Sequence, residues 1–240
     1  AQNSMMTSIQ GLYAFGEVNY QYHGANRLGA NALLSCIFDG LFCGVGVANY
    51  VKDRETSACE GDGRTHDAAR ILEEAQIERL VAAEGDENPY LIGRELGEEM
   101  TAACTVVKEA ARLEQARETL ASLRERYRDI SLSDTGLWTN QNLSYARAVG
   151  DMLVIADAMI EASIARRESR GSHYRSDFPT RDDGEFLKTT VANYVPATGR
   201  VEIGYEPVRS ELVTPRERNY SKTHAPAKAE ATKAKATAAS

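Results

Sequence analysis

A run of apolar residues at helical spacing extends through residues 67–170 and constrains the fold more than any other feature. The apolar residues recur every three to four positions, which places them on one face of a helix. Asn88 followed by Pro89 is a typical helix start, and the apolar stripe at 96–107 continues through 113–130. A break rich in Gly, Thr and Asn at 133–140 separates it from a long helix with a stripe at 143–164. Because each helix must bury its apolar stripe against another element, residues 67–170 are predicted to form an antiparallel bundle.

Residues 1–52 predict a different kind of structure. Residues 11–16 are a short apolar run with glycine at both ends, which is typical of a buried strand. Residues 17–29 are rich in Gly, Asn and aromatic residues and predict a loop, and Asn31 opens an apolar segment that predicts a mostly buried helix capped by Asn31. A single strand–loop–helix unit cannot complete a sheet, so we expect its partner strands to lie outside this sequence.

The end of the chain changes character twice more. Residues 171–223 predict a charged loop and a small β segment, with strand-like pieces at 186–194 and 200–205. Residues 224–240 are rich in Lys, Ala and Thr and carry too little apolar surface to fold, so we expect a disordered tail. The predicted fold class is therefore α+β: the end of an α/β unit, a helical bundle and a C-terminal β-like segment.

Composition excludes several classes of function. The net charge of −7 argues against a broad nucleic-acid surface. The four cysteines form no CxxC pair, and Cys36 and Cys43 lie within an apolar run, so no metal site or secreted disulfide framework is predicted. No uninterrupted apolar stretch is long enough to span a bilayer, and residues 1–10 lack the basic segment of a secretory signal.

Two long motifs carry a resemblance to a known family. Residues 11–17 read GLYAFGE and residues 23–34 read HGANRLGANALL, while residues 167–183 read RESRGSHYRSDFPTRDD. In this order, separated by a helical region, they resemble the signatures of succinate dehydrogenase/fumarate reductase flavoprotein subunits. The resemblance covers residues 11–223, including the RERNY ending at 216–220. It implies that residues 1–52 are the C-terminal piece of an FAD-binding domain.

The resemblance also implies roles for four residues. Arg27 matches the arginine that holds a substrate carboxylate, for which a guanidinium offers a two-pronged, permanently charged donor. Glu17 matches the glutamate that accepts hydrogen bonds from the sugar-alcohol chain of the flavin. Ala32 and Leu33 match a helix start whose main-chain N–H groups face the pyrimidine edge of the flavin. The family usually has Ser where this sequence has Ala32, so only a backbone contact is expected there.

Structural alternatives stand beside these roles. Glu17 could be a solvated loop acid and Arg27 a loop arginine bonded to carbonyl groups; the motif favours the functional interpretation of both. His23 is assigned no catalytic role. The second motif contains a dense polar cluster that could hold an active-site base, but a charge network that packs the end of the bundle is favoured. Its members are Arg170, His173, Tyr174, Arg175, Asp177, Arg181 and Asp182.

Several parts of the family pattern do not occur in this sequence. The dinucleotide fingerprint, the histidine that carries FAD covalently and the capping domain with its proton-transferring arginine all precede residue 11 in that pattern. No catalytic residue is therefore assigned to this chain. FAD is expected to be held mostly by the upstream region, and the chain alone is expected to be inactive.

The resemblance predicts a function for the complete protein. It implies FAD-dependent interconversion of succinate and fumarate, with electron transfer to quinone through an iron–sulfur subunit and a membrane anchor. The expected location is peripheral, on the cytoplasmic face of the inner (plasma) membrane. Two alternatives remain open: a fragment of a flavoprotein similar to L-aspartate oxidase, which shares the first motif, and a non-enzymatic helical interaction module without flavin. The RDDGEFLK continuation at 181–188 and the RERNY ending favour the first interpretation over the oxidase.

Overall fold

The computed structural model describes residues 5–55, 57, 63–208 and 210–211 of the 240-residue chain. Residues up to Pro207 form one unit; of the second unit, which starts at Val208, only three residues are described. The predicted disordered tail at 224–240 and the RERNY ending lie outside the described residues. In chain order the elements are α1 Asn31–Lys52, α2 Arg64–Val81, α3 Pro89–Cys104, α4 Ala110–Arg128, α5 Gln141–Ala165, α6 Asp183–Phe186, β1 Lys188–Val195 and β2 Arg200–Pro207, with 3-10 turns at Gly16–Val18 and Tyr20–His23.

The predicted helical bundle is present. Helices α3, α4 and α5 pack on one another, and α2 adds a lighter contact with α5. The Asn88 side chain accepts a hydrogen bond from the N–H of Tyr90 at 2.8 Å, and Pro89 is the first helical residue, as the sequence indicated. The core consists of the apolar stripes: Leu80, Ile92, Leu96, Ala103, Leu113, Leu120, Leu123, Val149, Leu153 and Ile160 are all buried.

Ion pairs join the bundle helices at the edge of this core. Arg112 on α4 reaches Glu99 on α3 through two hydrogen bonds of 2.6 and 2.8 Å. Arg117 on α4 does the same with Glu161 on α5, at 2.7 and 2.9 Å. Because both arginines engage their carboxylates with two parallel bonds, they fix the register of neighbouring helices.

A two-stranded antiparallel hairpin follows the bundle, as the strand-like pieces predicted. β1 and β2 pair from Lys188 opposite Pro207 to Val195 opposite Arg200. The hairpin lies against α5: the N–H of Val201 donates to the buried carboxylate of Asp157 at 3.2 Å. The hairpin is therefore attached to the bundle.

The prediction for residues 11–16 was wrong. This segment is irregular in the structure, with an isolated bridge between Met6 and Tyr13 in place of a strand. Helix α1 begins where predicted, but Asn31 is its first helical residue and not its cap; Ala30, at φ +65°, precedes it without a side-chain capping bond. A strand forms only when a neighbour supplies hydrogen bonds, and the described residues offer this segment no partner strand.

Helix α1 is also exposed and not mostly buried, contrary to the prediction. Leu33 is 76% exposed and Leu41 is 75% exposed. Among the described helices, α1 is long and apolar enough to cross a membrane, with a mean hydropathy of 1.6 over a window of which 11% is buried. Core helices of soluble proteins share this length and composition. The apolar run is interrupted by Asp39, which is buried and bonded to the preceding loop.

Candidate functional site

The first motif is folded around the start of α1, and Asp39 holds it there. The Asp39 side chain is 1% exposed, and its Oδ2 accepts hydrogen bonds from the N–H of Gly16 at 2.8 Å and from the hydroxyl of Tyr22 at 2.7 Å. Gly16 has φ +74°, a conformation that favours glycine, and a Cβ there would lie 3.3 Å from the sulfur of Cys36. The bond to Asp39 is also the main reason that the pKa of Tyr22 is raised.

A second side-chain link lies one helical turn earlier on the same face of α1. The Ser35 hydroxyl lies 3.2 Å from Nε2 of His23, and it also bonds the carbonyl of Asn31 at 2.7 Å. His23 is therefore a partly buried loop histidine with a hydrogen-bond partner on α1. Ser35 and Asp39 together attach the segment from Gly16 to His23 to the helix.

The four residues with predicted site roles lie on this assembly. Glu17 is exposed on the 3-10 turn next to Gly16, and Arg27 is exposed in the loop before α1, with its Nη1 3.2 Å from the carbonyl of Leu28. Ala32 and Leu33 occupy the first turn of α1. The first N–H groups of a helix have no acceptor within it and carry the positive end of the helix dipole. Ala32 and Leu33 thus share the first turn of α1, and the side chains of Glu17 and Arg27 are open to solvent.

The second motif reaches the first one. The N–H of Ser172 donates to the carbonyl of Ala25 at 3.2 Å. Gly171, at φ +60°, lies so close to that carbonyl that a Cβ would be 2.2 Å from its oxygen. The turn of the second motif therefore packs directly on the loop that carries Arg27. Local sequence patterns gave no signal for this contact, since the two segments are far apart in the chain.

A buried acid organises the second motif. Glu168 is 0% exposed; it accepts bonds from Arg170 at 2.7 and 2.9 Å and from the N–H of Asp182 at 2.9 Å, and it also pairs with Arg166. Burial is the largest single influence on Glu168 and opposes its ionisation. The bonds from Arg170, Asp182 and Arg166 together outweigh burial and lower the pKa of Glu168. This acid is committed to structure and is not a free base.

A second ion pair connects the motif to α4. Arg175 is 2% exposed and donates to Asp177 at 2.8 and 2.6 Å and to the carbonyl of Ser163 at 2.6 Å. Asp177 accepts in addition from the N–H of Ala110, the first residue of α4, at 3.1 Å. The bond from Arg175 is the main reason that the pKa of Asp177 falls from 3.8 to about 2.

His173 is partly buried and bonded within the second motif. Its Nε2 lies 3.1 Å from the carbonyl of Arg166, and burial is the main reason that its pKa is lowered. The cluster thus forms the packing network that the sequence favoured, except for Tyr174, which is 44% exposed. Among the described residues, no group of three or more His, Cys, Asp or Glu side chains is arranged to hold a metal ion.

Comparison with known proteins agrees with this geometry. The family model for the C-terminal region of fumarate reductase flavoproteins matches residues 93–220, more than half of the chain. The chain belongs to the succinate dehydrogenase/fumarate reductase flavoprotein family. The resemblance seen in the two motifs is confirmed. The named relatives in this family are oxidoreductases.

Individual relatives show how much of a flavoprotein subunit the chain represents. It is 41% identical to the succinate dehydrogenase flavoprotein subunit of Bacillus subtilis over 90% of this chain and 37% of the relative. It is 35% identical to the fumarate reductase flavoprotein subunit of Haemophilus influenzae over 95% of this chain and 37% of the relative. The chain therefore spans little more than a third of the curated relatives it matches.

Solved structures show the same relationship. FrdA of E. coli quinol fumarate reductase, in a structure of a variant with a single substitution, superposes with a TM-score of 0.77 and 29% identity, over 89% of this chain and 36% of FrdA. Sdh1 of Mycobacterium smegmatis gives a TM-score of 0.68 with 26% identity, over 85% of this chain and 33% of that protein. The bundle and hairpin are thus the C-terminal architecture of this flavoprotein family.

Two features of the site were missed from sequence. Asp39 was not singled out, although an acid in the middle of an apolar helix is a signal for a buried polar anchor. The contact of Gly171 and Ser172 with Ala25 was missed too, because a turn gives no sequence sign of what it packs against.

Proposed function

We propose that this chain is the C-terminal part of a flavoprotein subunit that interconverts succinate and fumarate with FAD. Electrons pass between the flavin and quinone through an iron–sulfur subunit and a membrane anchor, and the subunit lies at the cytoplasmic face of the inner (plasma) membrane. The observation that carries the proposal is the first motif: an exposed Glu17 and an exposed Arg27 precede the helix start that carries Ala32 and Leu33. Family membership supports it, and so does the name of a solved relative, quinol fumarate reductase, which names both fumarate and a quinol.

The residues present fit one side of a flavin site. The loop before α1 is exposed, and a Cβ built on Gly24 or Gly29 would meet nothing within 4 Å, so a ligand can approach the backbone closely. The start of α1 offers N–H groups to an electron-rich ring edge, and Glu17 offers carboxylate oxygens to hydroxyl groups. FAD, when bound, supplies the hydride chemistry. The rest of its binding site is expected outside this sequence.

Arg27 is assigned to the substrate. Its guanidinium donates in this structure only to the adjacent carbonyl of Leu28 among the bonds of the described residues, at 3.2 Å, and is otherwise exposed. A planar donor of this kind matches a carboxylate of a C4 dicarboxylate and orients it. Its fixed positive charge also stabilises negative charge that develops on the substrate during transfer.

The test is substrate oxidation by the complete flavoprotein. Replacement of Arg27 by Ala is expected to lower succinate-dependent dye reduction by at least about a hundredfold while the flavin content is retained, because a charge-assisted substrate contact is lost. Arg94→Ala is the matched control, since Arg94 is an exposed arginine on α3 whose Nε lies 3.9 Å from the Glu98 carboxylate. Equal activity of the two variants contradicts the role of Arg27. Faster turnover of aspartate than of succinate supports the oxidase alternative.

A further inference from the structure

The turn at residues 170–173 is closed by its own backbone. The N–H of Arg170 donates to the carbonyl of His173 at 2.8 Å, and the N–H of His173 donates back to Arg170 at 3.0 Å. Gly171 lies inside this turn at φ +60°, where a side chain is disfavoured. The turn therefore presents the Gly171 Cα and the Ser172 N–H together on one side.

That side lies against the loop before α1. The Ser172 N–H donates to the carbonyl oxygen of Ala25 at 3.2 Å, and the Ser172 hydroxyl lies 3.4 Å from the same oxygen. A Cβ on Gly171 would lie 2.2 Å from the Ala25 oxygen and 2.5 Å from its carbonyl carbon. Both atoms belong to backbone, so the clash cannot be relieved by rotation of a side chain. Only glycine permits this approach.

The two segments that form this contact differ in how many hydrogen bonds hold them in place. The turn is held by the fully buried Glu168 through Arg170, and Ser169 bonds the carbonyl of Phe178 at 2.8 Å and the N–H of Arg175 at 2.9 Å. The loop from Gly24 to Ala30, in contrast, is exposed throughout. An added atom at Gly171 therefore displaces the loop and leaves the turn in place.

We propose that the turn formed by Gly171 and Ser172 is a positioning element that fixes the Ala25 carbonyl and thereby sets where Arg27, two residues further on, presents its guanidinium. The inference rests on the proposed function for the role of Arg27. Gly171 and Ser172 do not touch substrate; they act through the loop. The helical bundle delivers this turn, so the second motif contributes to substrate binding from a distance.

A pair of glycine variants isolates the contact. Gly171→Ala adds a methyl group where the Ala25 carbonyl stands, whereas Gly199→Ala adds one at a similar φ of +63° with nothing within 4 Å. Both variants carry the same kind of backbone strain, so a difference between them reports the clash. Ser172→Ala is a third variant: it keeps the backbone N–H that bonds Ala25 and removes only the hydroxyl.

The first measurement is hydrogen exchange of the chain, followed by mass spectrometry. The peptide that contains the Ser172 N–H, which donates to the Ala25 carbonyl, is expected to exchange faster in Gly171→Ala than in wild type, while Gly199→Ala and Ser172→Ala resemble wild type at this amide. Unchanged exchange of the Ser172 amide in a folded Gly171→Ala overturns the inference. This readout depends on neither flavin nor substrate.

The second measurement is succinate binding and turnover in the complete flavoprotein. Gly171→Ala is expected to raise KM for succinate by about tenfold or more, with flavin content retained and Gly199→Ala near wild type, because a displaced Arg27 is a misplaced substrate contact. Faster exchange with an unchanged KM overturns the positioning role. A wild-type flavoprotein that fails to oxidise succinate overturns the proposed function instead, and the exchange result still decides whether the turn fixes the loop.

Discussion

The ion pair between Arg175 and Asp177 makes the free energy of unfolding decrease as the pH becomes acidic. The Asp177 side chain is 24% exposed and accepts two bonds from the buried Arg175 and one from the N–H of Ala110, which begins α4. All three bonds favour the ionised carboxylate, and the pKa of Asp177 falls from 3.8 to about 2. A group whose pKa is lower in the folded state stabilises the fold at pH values above its unfolded pKa, and the stabilisation is lost as pH falls through the folded pKa.

The magnitude follows from the difference between the two pKa values. At about 1.4 kcal/mol for each pKa unit, the shift corresponds to about 2 kcal/mol of unfolding free energy at neutral pH. About 1 kcal/mol of this is lost between about pH 5 and pH 3, and most of the remainder by about pH 2. Asp177→Asn removes the ionisable group and leaves Arg175 buried without a charged partner, so the variant is less stable at neutral pH by about 2 kcal/mol or more.

The assay is urea denaturation of the chain, followed by circular dichroism, from about pH 6 down to pH 2. The stability curves of wild type and Asp177→Asn are expected to converge as the pH falls. Asp67→Asn is the matched control, because Asp67 also faces an arginine, Arg70 at 3.7 Å, but on the exposed surface of α2, where such pairs contribute little. Parallel curves for wild type and Asp177→Asn would refute the assigned role of this ion pair.

Three further results are expected, two from the same denaturation assay and one from hydrogen exchange. Leu113→Ala costs about 2–5 kcal/mol, because Leu113 is fully buried in the bundle core, whereas Leu33→Ala on the exposed face of α1 changes stability by less than about 0.5 kcal/mol. Gly85→Ala destabilises by more than about 1 kcal/mol, because a Cβ there would lie 1.9 Å from the carbonyl oxygen of Asp129. Asp39→Ala accelerates hydrogen exchange in residues 16–23 and leaves the bundle protected, since its two bonds attach only that segment to α1.

Local patterns predicted the helical part of the fold well. The step from Asn88 to Pro89 located the start of α3, and the polar break at 133–140 separated α4 from α5. These signals are local: a cap bonds residues two or three positions away, and an apolar stripe repeats within one helix. The strand predicted at residues 11–16 failed for the complementary reason, because a strand depends on hydrogen bonds from a segment elsewhere in the chain or outside it.

For the candidate site, too, local motifs predicted one part and missed the part that depends on contacts between distant segments. The motifs identified Glu17, Arg27, Ala32 and Leu33 as a group, and their roles remain predictions. What the motifs did not give is the support beneath them, which consists of a buried acid on α1 and a glycine turn that packs on Ala25. Such contacts join positions with no shared periodicity, so they become visible only when the chain is folded.

The bundle and the N-terminal piece of this chain also differ in whether their apolar surfaces are buried within the chain. The bundle buries its apolar stripes against its own helices, and its ion pairs are closed within it. Helix α1 instead leaves most of its apolar surface exposed while its one buried acid holds the loop of the first motif. An apolar face of this size lowers the free energy only when something covers it. Bundle stabilities measured on this chain should therefore carry over to the complete flavoprotein, whereas the N-terminal piece should become more protected there, because the proposed flavin domain would cover α1.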